Sequence, residues 1–156
     1  MAELKEGQKA PDFTLPSSDG GEVTLSEFKG KESVVLYFYP KDDTPGCTKE
    51  ACYFRDLRKK FQAAGAEIFG VSFDTIESHD KFIKKYKLSF PLLADEDKTV
   101  AKQYGVYKQK SFMGNSYMGI ERTTFLIDKN QKIAKIFPKV KVEGHADEVL
   151  SIVQSL

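Results

Sequence analysis

The chain of 156 residues holds two cysteines, Cys47 and Cys52. A thiolate is a strong nucleophile, and in a reducing compartment two nearby thiols are more often redox-active than a structural bridge. Cys47 ends the segment Pro40-Lys41-Asp42-Asp43-Thr44-Pro45-Gly46-Cys47 and opens an apolar stripe, Cys47, Ala51, Phe54, Leu57 and Phe61, at helical spacing. A thiol at a helix start faces unpaired N–H groups and the positive end of the helix dipole, which favour a thiolate over a thiol. Thr44 can cap that helix or offer its hydroxyl to a bound oxygen, and the residue types leave both roles open. Cys52 falls about 140° around the helix from Cys47, off the apolar stripe and beside Asp56 and Lys59, so an accessible thiol is expected. The Cys-x-x-x-x-Cys spacing differs from the Cys-x-x-Cys of dithiol reductases. No histidine falls in a constellation suited to a cysteine protease.

The elements that must position these thiols can be read around them. Val34-Val35-Leu36-Tyr37-Phe38-Tyr39 is a continuous β-branched and aromatic run suited to a central strand buried on both faces. The loop 40–46 follows, then a helix from Cys47 that ends near Gly65. A strand over 68–73 and a helix over 78–86 make a βαβ unit, so those strands should be parallel. A short helix over 99–104, a core strand over 123–127, a hairpin partner over 132–137 and a final helix over 146–153 complete the pattern. Phe13-Thr14-Leu15 and Val23-Thr24-Leu25 flank a turn-rich stretch and predict an N-terminal β-hairpin. The fold class is therefore α/β, a central mixed sheet flanked by helices. With no repeat or linker composition, residues 1–156 are expected to form a single domain.

Lys and Arg number 24 against 23 Asp and Glu, a net charge of +1, which leaves no field strong enough to argue for nucleic acid or an anionic membrane as partner. No apolar run reaches the length of a membrane span and residues 1–6 lack a secretory pattern, so a soluble, cytoplasmic protein is expected. At 40% hydrophobic residues the chain can build a core without metal or disulfide staples.

Pro40, Thr44 and Cys47 together form Pro-x-x-x-Thr-x-x-Cys, and on this motif the sequence resembles the peroxiredoxins. Thr48-Lys49-Glu50-Ala51-Cys52 narrows the resemblance to the bacterioferritin comigratory protein or peroxiredoxin Q subfamily. Ala10-Pro11-Asp12-Phe13 and the stretch from Tyr117 to Asp128 extend it over essentially the whole chain. The resemblance implies a thioredoxin-like fold and a thiol peroxidase acting on hydrogen peroxide and organic hydroperoxides. Cys47 would be the peroxidatic thiolate and Cys52 the resolving thiol of an intramolecular disulfide, reopened by thioredoxin or a similar dithiol. Thr44 and the Cys47 N–H would hold the peroxide oxygens, Pro40 would wall the pocket, and Arg122 would stabilise both thiolate and leaving oxygen. Without the motif, Arg122 would be read as a surface ion pair. Glu50 is either the carboxylate that orients Arg122 or a solvated helix-face residue. The resemblance further implies a monomer, while nothing in the residues suggests a cofactor and neither histidine has a partner at metal-binding spacing.

The remaining candidates weigh less. Phe112, Met113 and Tyr117, in a loop expected over 107–117, could rim a pocket for organic hydroperoxides, although packing roles are favoured. His79 and His145 are expected on helical or loop surface and receive no function. Lys84-Lys85 and Lys139 to Lys141 read as solvated faces.

Overall fold

The apolar run after Glu32 forms strand β3 (Ser33–Phe38), every residue of which is buried. Its side chains alternate between two cores, as the period of a strand requires. Val35 and Tyr37, with Tyr39 just beyond, face one cluster; Val34, Leu36 and Phe38 face the other. Strand β4 (Ala66–Ser72) pairs with β3 in parallel and β5 (Leu92–Ala94) with β4 in parallel. β8 (Thr123–Ile127) lies antiparallel on the other side of β3 and β9 (Ile133–Phe137) antiparallel on β8. The sheet is thus mixed, in the order β5-β4-β3-β8-β9. The structure is a computed structural model that describes residues 3–156.

Helix α1 (Pro45–Ala63), α2 (Ile76–Tyr86) and α4 (His145–Gln154) bring Phe54, Phe61, Phe82, Val149 and Val153 to the first core. The short helix α3 (Thr99–Gln103) covers the second core together with the N-terminal hairpin, β1 (Thr14–Pro16) and β2 (Glu22–Thr24). The expected α/β architecture with a mixed sheet and an N-terminal hairpin is what forms. No helix among the described residues is long and apolar enough to cross a membrane.

The segment read as a loop over 107–117 is instead a second hairpin, β6 (Tyr107–Phe112) paired antiparallel with β7 (Asn115–Ile120). Its two-residue turn, Met113 at φ 52° and Gly114 at φ 82°, has the positive φ values that match the twist of a tight hairpin. Phe112, Met113 and Tyr117 are all exposed, Met113 at 85%, so the packing role favoured for them is wrong: they lie on a ribbon that stands off the core. The three-residue β5 was not expected either.

Candidate active site

Strand β3 ends at Phe38, and the loop 40–44 carries the chain from the sheet to the first turn of α1. There Pro45 occupies a position that needs no N–H donor, and Cys47 follows, only 2% exposed. Arg122 comes from the short link between β7 and β8 and reaches across that first turn. Its Nη2 donates to Cys47 Sγ at 3.3 Å and its Nη1 to Glu50 Oε1 at 2.7 Å. Gly46 makes the approach feasible: a Cβ there would stand 3.1 Å from Arg122 Nη2. The backbone of Arg122 is held in turn by the Val140 N–H, which donates to its carbonyl at 2.9 Å.

Glu50 lies one turn beyond Cys47 and is 1% exposed, so the solvated helix-face reading is excluded by its placement. Burial pushes its carboxyl up to about 7, against the pull of the Arg122 guanidinium. Arg122 is itself partly buried, which works against its charge, but Glu50 and Cys47 outweigh this and raise its affinity for the proton. The pair is therefore no surface ion pair. A permanently charged guanidinium is shared between a thiol and a carboxyl that can hold or release a proton near neutrality.

Thr44 takes the N-cap position of α1, yet its side chain caps nothing. Its hydroxyl donates to the Lys41 carbonyl at 2.8 Å, which orients the Oγ1 lone pairs to accept from another donor. Pro40 is half-buried at the other end of the same loop. Cys52 is on α1 as well, half-buried, and both cysteines are free thiols. The helix runs unbroken through both, so the two sulfurs are not yet positioned to bond.

Three groups at or near this site escaped the sequence reading. His79 and His145, expected on the surface, are 0% and 5% exposed. His145 opens α4 and pairs through Nε2 with Thr124 Oγ1 at 2.8 Å. Burial first, and the nearby Arg122 charge second, depress its basicity to about 4, so it is a neutral neighbour of the cation. His79 faces inward because α2 presents residues 79, 82, 83 and 86 on one side. That helical spacing of Phe82, Ile83 and Tyr86 was the available signal. Tyr37 stacks on Phe54, its ring centroid 4.8 Å away. Its buried hydroxyl has no hydrogen-bond partner among the described residues. Burial, then the nearby Glu50 and Cys47, raise its pKa far above that of a free phenol. Glu50 Oε2 likewise has no partner among the described residues.

Comparisons with known proteins agree with this geometry. The AhpC/TSA family matches residues 6–136. Peroxiredoxin Bcp of Bacillus subtilis is 50% identical over 153 residues, 98% of this chain and 97% of that protein. Peroxiredoxin Bcp of Escherichia coli is 46% identical over 151 residues, 97% and 96% of the two chains. A solved structure of the bacterioferritin comigratory protein of Xanthomonas campestris, studied for alkyl peroxide reduction, superposes with a TM-score of 0.86 at 42% identity, covering 92% of this chain and 90% of that one. A matching family model over most of the chain, relatives near half identical along almost their full length and a shared thioredoxin-like fold lead to one conclusion: the chain belongs to the AhpC/TSA family as a peroxiredoxin of the Bcp/peroxiredoxin Q kind, a thiol-dependent peroxidase.

Proposed function

We propose that Cys47 is the peroxidatic thiolate and Cys52 the resolving thiol of this peroxidase. The observation that carries the reading is the Arg122 guanidinium held by buried Glu50 and aimed at Cys47 Sγ. The Cys47 sulfur attacks one oxygen of a hydroperoxide, the O–O bond breaks, and the sulfur becomes a sulfenic acid. The departing oxygen leaves with the bonding electron pair and takes a proton to become water or an alcohol. Arg122 stabilises negative charge on the sulfur before attack and on the departing oxygen during it. Thr44 Oγ1 accepts from the hydroperoxide O–H, and Pro40 limits the entry of water. Cys52 then attacks the sulfenic acid, forms the disulfide and releases water. A dithiol of the thioredoxin type returns both cysteines to thiols and is itself oxidised.

Hydrogen peroxide and organic hydroperoxides are the proposed substrates, the latter supported by the alkyl peroxide chemistry studied in the Xanthomonas relative. A pair of nearby redox-active thiols suits a reducing compartment, and the proposed form is a cytoplasmic, single-domain monomer. The test is peroxide-dependent oxidation of thioredoxin. Turnover over many cycles with the wild-type protein, abolished in Cys47→Ser, supports the reading. Consumption of one equivalent per chain would make the protein a redox sensor instead.

A further inference from the structure

His79 takes no part in the peroxide chemistry above, yet no part of it meets solvent and both its ring nitrogens meet acceptors. Nδ1 lies 2.7 Å from Asp42 Oδ2 and Nε2 lies 2.9 Å from the Leu93 carbonyl. The Leu93 carbonyl can only accept, so Nε2 donates to it, while Nδ1 and the Asp42 carboxyl share the other hydrogen bond. Asp42 belongs to the loop that carries Thr44 and Cys47, and its carboxylate is saturated from several directions. Tyr39 Oη donates to Oδ1, and Ser78 Oγ donates to Oδ2 at 2.8 Å. The Asp42 backbone N–H donates to Asp74 Oδ2 at 2.8 Å, and Ser72 Oγ donates to that same oxygen at 2.7 Å. The end of β3, the end of β4, the first turn of α2 and, through Leu93, β5 thus converge on a single loop residue. Two buried polar side chains in this arrangement cost desolvation that an apolar pair would avoid. What they provide in return is a fixed loop.

We propose that Asp42 and His79 form a buried positioning pair for the peroxide step, fixing the loop 40–46 so that Thr44 Oγ1 and the Cys47 N–H present the hydroperoxide in line with Cys47 Sγ. The proposal rests on the reading of Cys47 as nucleophile and Thr44 as oxygen partner. Neither Asp42 nor His79 touches the reacting atoms; both act through the loop. Misplacement of a reacting group by about 1 Å can cost a hundredfold in rate, so a loop released at Asp42 should slow peroxide attack. It should not much alter the intrinsic reactivity of the thiolate, because Arg122 and the helix start remain.

The experiment compares two reactions of Cys47 in a Cys52→Ser background: oxidation by hydrogen peroxide under single-turnover conditions, and alkylation by iodoacetamide. Iodoacetamide needs the thiolate but not the oxygen-holding groups. His79→Phe keeps a ring and removes both ring nitrogens; it is expected to slow oxidation about tenfold or more while alkylation changes by less than about twofold. Tyr39→Phe removes only one donor to Asp42 and is expected to shift the same ratio in the same direction by a smaller factor. It carries the test if His79→Phe does not fold. An unchanged oxidation rate, or oxidation and alkylation falling in parallel, overturns the proposal. Slow oxidation of Cys47 in the parent background would instead undo the reading of Cys47 as the peroxidatic residue, so the two failures are distinct.

Discussion

Arg122 is the one residue at the site whose charge cannot be titrated away, and it serves Cys47 and Glu50 at once. Arg122→Ala should slow single-turnover oxidation of Cys47 on the order of a hundredfold or more, because one preorganised donor to a charged transition state is worth about that much. Arg122→Lys, a point charge without the fork that spans sulfur and carboxyl, should recover only part of the loss. A wild-type rate in Arg122→Ala would return the residue to a structural role. Glu50 and His145 flank the same guanidinium and titrate in opposite senses. Glu50 rises from 4.5 to about 7 on folding, so between those values the folded chain binds more protons than the unfolded one, and stability falls as pH rises. His145 drops from 6.5 to about 4, so over that window the unfolded chain binds more protons and stability rises with pH. The two slopes, each at most about 1.4 kcal/mol per pH unit, oppose one another where the windows overlap. Thermal melts from pH 4.5 to 7.5 should show Glu50→Gln gaining on the wild type as pH rises and His145→Asn losing ground. Parallel curves would contradict both assignments.

Helix α1 must open during each catalytic cycle of the proposed chemistry. Residues five apart in a regular helix have Cα atoms about 8.7 Å apart, whereas a disulfide needs less than about 7 Å. The first turns are tied down by Glu143, which accepts from Lys49 Nζ at 3.1 Å and from Tyr53 Oη at 2.8 Å. Farther along, Arg55 Nη1 donates to the Tyr86 carbonyl at 2.6 Å and Arg58 binds Glu67 and the Ser89 carbonyl, so unwinding should stop near there. Hydrogen exchange should show residues 48–56 protected in the reduced protein and deprotected in the disulfide form, with residues 59–63 protected in both. Equal protection of 48–56 would point to a resolving thiol on another molecule. Glu143→Ala should favour the open form and cut sulfinic acid formation at a given peroxide dose by about threefold, a modest effect because the contacts are exposed. The helix and its loop were legible in the sequence because motif, cap and apolar stripe are all local. For Glu50 the sequence left two readings open, since the choice depends on burial against an arginine 72 positions away. The partners of His79 lie 37 and 14 positions off, beyond the reach of any local pattern. The hairpin of β6 and β7 was missed because only its base, at Tyr107 and Ile120, meets the core, so polar and apolar residues along most of the ribbon do not alternate as those of a packed strand do.

Across the whole molecule, the site depends on how tightly two strands pass behind it. Gly70 on β4 lies beside Tyr37 on β3, and a Cβ there would stand 2.8 Å from the Tyr37 ring and hydroxyl and from Leu92 Cδ2. Tyr37 is stacked on Phe54 and has no room to retreat, so Gly70→Ala should destabilise the protein by about 1–3 kcal/mol in urea unfolding. An unchanged midpoint would show that the ring can yield. The layered α/β plan was readable from the alternation of strands and helices, but the chain's use of its first twenty residues was not. Gln8 and Gly7 hydrogen-bond to Ile133 on β9, and Glu6 accepts from the Ile136 N–H. At the opposite margin, Ser18 donates its N–H to the Leu92 carbonyl and accepts from the Leu92 N–H, and Ser17 bridges Leu93. One short N-terminal stretch therefore covers part of both free margins of the five-stranded sheet. An enzyme that partly melts a helix in every turnover repeatedly bares apolar side chains, a state in which an open strand margin would recruit a second chain into a growing ribbon. In the proposed cycle the helix that opens and the margins that this stretch covers are separate parts of the fold, so the loosened form keeps that cover in place.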